Sequence, residues 1–121
     1  MSVQRKKIIV ADDDPAIVDA LEFMLVEAGY SVESTVDASR VEKMLKPQPN
    51  LLLLDIWMSG QDGRDICKAV KSRSDTKDIP VIMISANKDT EKLSKQAGAD
   101  DFIAKPFEMQ ELLEKVEHYM K

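Results

Sequence analysis

The segment LLLLDIWMSGQDG, residues 51–63, joins an unbroken apolar run to a carboxylate. Four consecutive leucines predict a strand that is buried on both faces, because half-exposed strands alternate apolar and polar residues. A carboxylate that is buried without a partner is energetically costly, so Asp55 must lie at a surface, form an ion pair or bind a cation. The rest of the sequence has to decide among these three.

The length and composition indicate one globular domain. The chain has 121 residues, 44% hydrophobic and 32% charged, so we expect residues 1–121 to form a single domain. The formal net charge of -5 argues against direct binding of nucleic acid. The single cysteine, Cys67, excludes an intramolecular disulfide and indicates a reducing compartment. No apolar run reaches the roughly 18 residues of a membrane span, and no signal peptide is evident, so we expect a cytoplasmic protein without membrane contacts.

Strand-like and helix-like segments alternate along the whole chain. Such alternation predicts an α/β fold in which a five-stranded parallel sheet carries helices on both faces, joined by right-handed crossovers. The polar alternation at 30–36 is typical of a strand near the edge of a sheet. The predicted strands are 6–11, 30–36, 51–55, 79–85 and 101–105, and the predicted helices are 15–29, 38–46, 63–72, 89–98 and 108–120.

Polar groups follow four of the predicted strands. The first strand ends at an acidic triplet, residues 12–14, and the others end at Asp55, Ser85 and Lys105. The carboxyl ends of parallel strands share one edge of a sheet, and this edge binds ligands in open α/β folds. Acidic side chains converging there repel one another unless a cation lies among them. Carboxylate oxygens with room for water molecules suit Mg²⁺.

The same residue types suit the transfer of a phosphoryl group. A carboxylate held at a metal can act as a nucleophile on phosphorus, as in aspartyl-phosphate ATPases. The transferred group carries negative charge on its oxygens and requires positive partners and hydrogen-bond donors. Mg²⁺ and Lys105 would supply the positive charge at Asp55, and the Ser85 hydroxyl would donate a hydrogen bond.

Four fragments in this order resemble the response-regulator receiver domains of two-component signalling, the CheY-like group. They are IIVADDDPAI, LLLLDIWMSGQDG, VIMISA and DFIAKPF, and the resemblance covers essentially the whole chain. It implies a doubly wound, flavodoxin-like sheet with strand order 2-1-3-4-5. It also implies a phosphoryl donor, which is a sensor histidine kinase or a phosphotransfer protein. A receiver is a signalling phosphoacceptor rather than an enzyme for a separate substrate, and it catalyses its own phosphorylation and slow dephosphorylation.

The resemblance assigns the metal site and the phosphoacceptor. Asp55 matches the residue that is phosphorylated. Asp12 and Asp13 match the acidic pair of the metal site, and Asp13 is the more direct ligand of the two. Asp55 and the backbone carbonyl of Trp57 complete the ligands that the protein supplies. The implied metal is Mg²⁺, with Mn²⁺ as a substitute.

The response to phosphorylation is assigned in the same way. Ser85 and Lys105 match the residues that bind the phosphoryl group, and Phe102 matches the aromatic switch residue. The Lys105–Pro106 peptide bond is cis in the family. Ser59 stands where the family usually has proline, which affects the stiffness of the loop.

The resemblance also implies a face for the output signal. This face consists of the helix at 89–98, the strand at 101–105 and the helix at 108–120, and it binds a downstream protein target or a second receiver. A phosphoryl group shifts the equilibrium only if it binds one conformation more strongly. We therefore expect Ser85 to move toward the phosphoryl group and Phe102 to change its exposure.

Trp57 and Asn87 are expected to set the lifetime of the phosphoryl group. Trp57 is the only tryptophan and follows Asp55 by two residues, and its bulk should hinder the in-line approach of a hydrolytic water. Asn87 follows Ser85 by two residues and can instead orient that water. The two residues therefore act in opposite directions.

Two other functions fit parts of the pattern. The sequence Asp12-x-Asp14 matches the D-x-D of haloacid-dehalogenase phosphohydrolases, in which Asp12 would be the nucleophile and Asp55 would have no role. A phosphate-independent interaction module would need none of these residues. Asp14 by itself is simply interpreted as the N-cap of the helix that begins at Pro15.

Overall fold

A five-stranded parallel sheet lies at the centre of the computed structural model, which describes residues 6–58 and 60–120. The expectation about Ser59 lies outside the described residues. The strands are β1 (Lys7–Ala11), β2 (Ser31–Thr35), β3 (Leu51–Asp55), β4 (Val81–Ser85) and β5 (Asp101–Ala104). Their order is β2-β1-β3-β4-β5 and every pair is parallel, so the predicted fold class and strand order are confirmed.

Four helices connect consecutive strands, and a fifth follows the last strand. They are α1 (Pro15–Glu27), α2 (Val41–Met44), α3 (Gly63–Ser72), α4 (Glu91–Gln96) and α5 (Met109–Tyr119). Asp14 caps α1 as expected, since its Oδ1 accepts a hydrogen bond of 3.0 Å from the Ala16 N–H, and Pro15 occupies the first helical position. No helix of the described residues has the length and apolar character that crossing a membrane requires.

The leucine run of β3 is explained by two apolar clusters on opposite faces of the sheet. Successive side chains of a strand point to opposite faces. Leu52 and Leu54 belong to the cluster that contains residues of α2 and α3, whereas Leu51 and Leu53 belong to the cluster that contains residues of α1 and α5. Both faces of β3 are therefore covered, and the whole strand is buried.

Several predicted boundaries were too generous. The predicted helix at 38–46 consists of a 3₁₀ turn at Ala38–Arg40 followed by the short α2, and the predicted helix at 89–98 contains the six residues of α4. Asp37 caps the 3₁₀ turn by accepting a hydrogen bond from Ser39, so the chain enters a tighter turn before α2.

The helical spacing of the apolar residues in 108–120 predicts that Met109 faces inward together with Leu112 and Val116, and for Met109 this prediction was wrong. Met109 begins α5 and is 59% exposed, because it lines an open groove beside α1 instead of packing in the core with Leu112 and Val116. It lines an apolar groove of about 260 Å³ on the side of α1. The residues that line this groove are Ile17, Ala20, Leu21, Met24, Phe107 and Met109.

Candidate functional site

The strand register brings the predicted polar residues to one edge of the sheet. Leu54 pairs with Ala11, and Asp55 pairs with Ile84, so Asp55 lies beside the ends of β1 and β4. Ser85 pairs with Ala104 at the end of β5, directly before Lys105. The structure therefore places Asp12, Asp55, Ser85 and Lys105 at adjacent strand ends. We call these four residues the rim site.

Two buried carboxylates of the rim site share one lysine. Lys105 Nζ lies 2.8 Å from Asp12 Oδ2 and 3.6 Å from Asp55 Oδ2. Asp12 is 0% exposed and Asp55 is 5% exposed, so water solvates neither carboxylate well, and one lysine cannot balance both negative charges. Asp12 also accepts a hydrogen bond of 3.0 Å from the Asp14 N–H. Lys105 thus pairs more closely with Asp12 and leaves Asp55 the less compensated carboxylate.

This imbalance changes the ionisation of the site. Burial, followed by the charge of Asp12, raises the pKa of Asp55 to about 7, against the opposing effects of Lys105 and of the hydrogen bond from the Trp57 N–H. Burial disfavours the charge of Lys105, but its hydrogen bond to Asp12 and the charges of Asp55 and Asp12 outweigh burial and raise its pKa. A cation near the carboxylates would reduce the repulsion between Asp12 and Asp55 and would favour the ionised form of Asp55.

Three carboxylates at this edge fit a divalent metal ion. Oxygen atoms of Asp12, Asp13 and Asp55 all lie within 4.8 Å of one another. Asp12 and Asp55 are buried while Asp13 is exposed, so the cluster combines fixed oxygen ligands with an opening to water. Mg²⁺ prefers a few carboxylate ligands together with several water molecules. The donor set therefore suits Mg²⁺, and the additional Trp57 carbonyl ligand stays a prediction.

Ser85 is buried, and its hydroxyl donates no hydrogen bond to another of the described residues. Its Oγ accepts a hydrogen bond of 3.1 Å from the Asn87 N–H, which leaves the hydroxyl free to donate. The Lys105 N–H donates to the Ser85 carbonyl at 2.7 Å, so the ends of β4 and β5 are tied together. The Asn87 side chain is exposed, and its Oδ1 accepts a bond from the Asp89 N–H at 2.9 Å.

Phe102, the predicted aromatic switch residue, lies in β5 next to β4. Phe102 is 9% exposed and belongs to the apolar cluster on the α2–α3 face. The Lys105–Pro106 peptide bond is cis. Phe102 is thus packed inward in this structure. The expected change in its exposure stays a prediction.

One functional feature of this edge was missed from the sequence. Trp57–Met58 pairs antiparallel with Gln61–Asp62, which forms a small hairpin after Asp55. Gly63 then begins α3 against β3, where an added Cβ would lie 2.1 Å from the Asp55 carbonyl oxygen. Gly63 is required here for close approach. The sequence Asp62-Gly63 before a helical pattern was the available signal.

Comparisons with known proteins agree with this geometry. The family model described as the response regulator receiver domain matches residues 8–117. A response regulator from Chloroflexus aurantiacus is 31% identical, with 97% of this chain and 98% of that chain covered and a TM-score of 0.91. The chemotaxis response regulator CheY4 of Vibrio cholerae is 28% identical, with coverages of 96% and 99% and a TM-score of 0.87.

A third similar structure comes from a different kind of protein. The receiver domain of a signal transduction histidine kinase from Syntrophus aciditrophicus is 30% identical to this chain. The match covers 95% of this chain and 89% of that one, with a TM-score of 0.87. Similar domains thus occur both in separate regulators and in histidine kinases.

Proposed function

The chain belongs to the response regulator receiver domain family, and we propose that it receives a phosphoryl group on Asp55 in a Mg²⁺-dependent reaction. The observation that supports this most strongly is the unequal charge balance at Asp55. This carboxylate is buried at the end of β3, beside Asp12, and Lys105 lies nearer to Asp12 than to Asp55. Such a carboxylate favours a bound cation, and the cation would in turn neutralise the oxygens of an incoming phosphoryl group.

In the proposed transfer, a carboxylate oxygen of Asp55 forms a bond to phosphorus while the bond from phosphorus to a donor group breaks. With a phosphohistidine donor, the imidazole nitrogen leaves with the electron pair of that bond. Asp12, Asp13, Asp55 and the Trp57 carbonyl would hold Mg²⁺, with Mn²⁺ as a substitute, and the ion would neutralise charge on the phosphoryl oxygens. Self-phosphorylation from a small donor and slow hydrolysis would follow the same geometry.

Lys105 and Ser85 would bind the phosphoryl group once it is attached. The Lys105 ammonium can exchange part of its interaction with Asp12 for a phosphoryl oxygen, because the oxygens of a doubly charged phosphoryl group are strong acceptors. The buried Ser85 hydroxyl has a hydrogen that it can donate. These two contacts favour a conformation in which β4 and β5 shift together, since the Lys105 N–H is bonded to the Ser85 carbonyl.

The output surface would be the face formed by α4, β5 and α5. Phe102 lies in β5, the strand of this face, and would change exposure when Ser85 moves. A downstream protein target or a second receiver would then bind. No direct role for nucleic acid or a membrane is proposed, since the net charge of the chain is -5.

The phosphodonor would be a sensor histidine kinase or a phosphotransfer protein. The apolar groove between α1 and the start of α5 borders the two loops that carry Asp13 and Lys105. We propose it as the docking surface for the donor protein. Replacing Ala20 by Glu should slow transfer from the donor protein while phosphorylation by acetyl phosphate stays unchanged.

Residues 1–121 would form one receiver domain in the cytoplasm. The thiol of Cys67 is buried in the core, and the expectation of a reducing compartment rests on the single cysteine of the sequence. The alternative in which Asp12 is the nucleophile is disfavoured. Asp12 is fully buried, and its two oxygens already bind Lys105 and the Asp14 N–H.

Labelling with a small phosphodonor tests the proposal. Acetyl phosphate and Mg²⁺ should attach one alkali-labile phosphoryl group, as expected of an acyl phosphate. Asp55→Asn should abolish the label. Labelling of Asp55→Asn at the wild-type rate, together with its loss in Asp12→Asn, would instead support the phosphohydrolase alternative. Absence of any label with Mg²⁺ bound would support a phosphate-independent module.

A further inference from the structure

The side chain of Trp57 is exposed but is held by a neighbouring cation. It is 53% exposed, and its backbone N–H donates to Asp55 Oδ1 at 3.4 Å. The Arg64 Cζ lies 5.2 Å from the centroid of the Trp57 ring, within the range of a cation–π contact. An exposed indole would otherwise exchange among several rotamers.

Arg64 is itself fixed by Asp62. Its Nε donates to the two carboxylate oxygens of Asp62 at 3.1 and 2.9 Å, and its Nη2 donates to Oδ2 at 2.6 Å. Asp62 also caps α3 by accepting from the Arg64 N–H at 2.8 Å. Since Asp62 is paired with Trp57 in the hairpin, the guanidinium is held beside the strand that carries the indole.

The start of α3 is in turn fixed against the phosphoacceptor. The Gly63 N–H donates to the Ile56 carbonyl at 2.6 Å, and Gly63 packs on the Asp55 carbonyl so closely that a Cβ would clash. The contacts therefore form a closed circuit, which runs from Asp55 through Trp57, Arg64 and Asp62 and returns through Gly63. Within this circuit the Arg64 guanidinium is the group that contacts the indole, so it helps to fix the position of the ring at the hairpin that follows Asp55.

We propose that Arg64 is a positioning residue that holds the Trp57 indole beside Asp55 and thereby lengthens the lifetime of the phosphoryl group. This inference rests on the proposed function. In hydrolysis, the oxygen of water forms a bond to phosphorus, the bond from phosphorus to Asp55 breaks, and the carboxylate leaves with the electron pair. A water proton passes to solvent. An indole held beside Asp55 restricts the approach of this water, whereas a released indole admits it.

The expected effect is moderate because the contact is exposed. A cation–π contact at an exposed site favours the held position by about two- to fivefold. Arg64→Leu should therefore accelerate loss of phosphate by up to about fivefold. Arg64 does not contact Asp55 in the circuit, so this acceleration should require the indole.

Two measurements on the full chain test the proposal. Acrylamide quenching of the fluorescence of Trp57, the only tryptophan, reports the exposure of the indole without any phosphorylation. The rate of phosphate loss after labelling with acetyl phosphate reports the lifetime. Arg73→Leu is a matched control, because Arg73 binds Asp75 with the same two-residue spacing, through bonds of 3.1 and 3.0 Å, at the other end of α3.

We expect Arg64→Leu to increase both quenching and the rate of phosphate loss, and Arg73→Leu to change neither. In a Trp57→Leu background, adding Arg64→Leu should have no further effect on the rate. Unchanged quenching and lifetime in Arg64→Leu would overturn the proposal, and so would an equal acceleration without the indole, which would indicate a direct effect of charge. A wild-type protein that takes up no label would refute the proposed function, while quenching would still decide whether Arg64 holds the indole.

Discussion

Two groups of carboxylates lie at opposite edges of the same sheet and differ in how their charge is balanced. At the carboxyl edge, Asp12 and Asp55 share Lys105. At the amino edge, Asp100 and Asp101 have one lysine each, because Lys71 Nζ lies 2.7 Å from Asp100 Oδ2 and Lys115 Nζ lies 3.1 Å from Asp101 Oδ1. We call this second group, together with Tyr119, the amino-edge network.

The amino-edge network also satisfies its carboxylates with backbone donors. Asp100 Oδ2 accepts from the Val81 N–H at 2.8 Å, and Asp101 Oδ1 accepts from the Phe102 N–H at 2.8 Å. The Tyr119 hydroxyl lies 2.9 Å from the Asp100 carbonyl and 3.2 Å from Asp101 Oδ2. These bonds join α3, β4, β5 and α5. The balanced network therefore stabilises the fold, whereas the unbalanced rim site leaves capacity for a ligand.

The largest expected change in stability comes from breaking the balanced network. Asp100→Ala should destabilise the protein by about 1–3 kcal/mol, because the Val81 N–H loses its acceptor and the Lys71 ammonium loses its carboxylate partner. The measurement is urea unfolding. Asp75→Ala is the control, since this exposed carboxylate pairs with exposed Arg73 and should cost less than about 1 kcal/mol. Equal costs in the two variants would remove the distinction between the network and an ordinary surface pair.

Removing the charge of Asp55 in the rim site should stabilise the protein, whereas Asp100→Ala destabilises it. The pKa of Asp55 is raised from 3.8 to about 7 in the folded protein, so its contribution to stability is present at low pH and is lost as the pH rises between these values. In metal-free buffer, Asp55→Asn should therefore be more stable than wild type at pH 7.5, by at least about 1 kcal/mol, and this advantage should shrink on acidification to pH 4. Thermal unfolding at several pH values measures it. An advantage that grows at low pH would contradict the charge imbalance.

Lys105→Ala should separate phosphorylation from the conformational response. Metal binding depends on the carboxylates and should persist, but the lysine that links the phosphoryl group to β5 is gone. Hydrogen exchange over α4, β5 and α5 should then respond less to phosphorylation than in wild type. Lys71→Ala, which removes a lysine of the amino-edge network, should keep the response. A full response in Lys105→Ala would reject the role of this lysine.

The change in tryptophan fluorescence on Mg²⁺ binding is the smallest of the effects that we expect. If the Trp57 carbonyl is a ligand, titrating Mg²⁺ into the metal-free protein should change the intrinsic fluorescence and reach saturation. The indole is already held by Arg64, so we expect a change in intensity rather than a large shift of the emission maximum. A flat titration, with binding shown by calorimetry, would mean that Trp57 does not sense the site.

The sequence predicted the sheet and the rim site for a simple reason. Alternating strands and helices determine which strand ends share an edge, so residues such as Asp55 and Ser85 were placed without knowledge of any distance. The hairpin at Trp57 was not predicted, because two-residue strands depend on the packing of Gly63 against Asp55. Nor could the sequence show that Lys105 lies nearer to Asp12 than to Asp55, since that preference depends on differences of less than about 1 Å.

Phosphoryl labelling of matched variants tests the central claim most directly. Wild type, Asp55→Asn and Asp100→Asn, each checked for folding by circular dichroism, are incubated with acetyl phosphate and Mg²⁺ and then weighed intact by mass spectrometry. The account predicts one phosphoryl group on wild type and on Asp100→Asn, and none on Asp55→Asn. Wild-type labelling of Asp55→Asn, or its loss in folded Asp100→Asn alone, would contradict the assignment of function to the unbalanced edge.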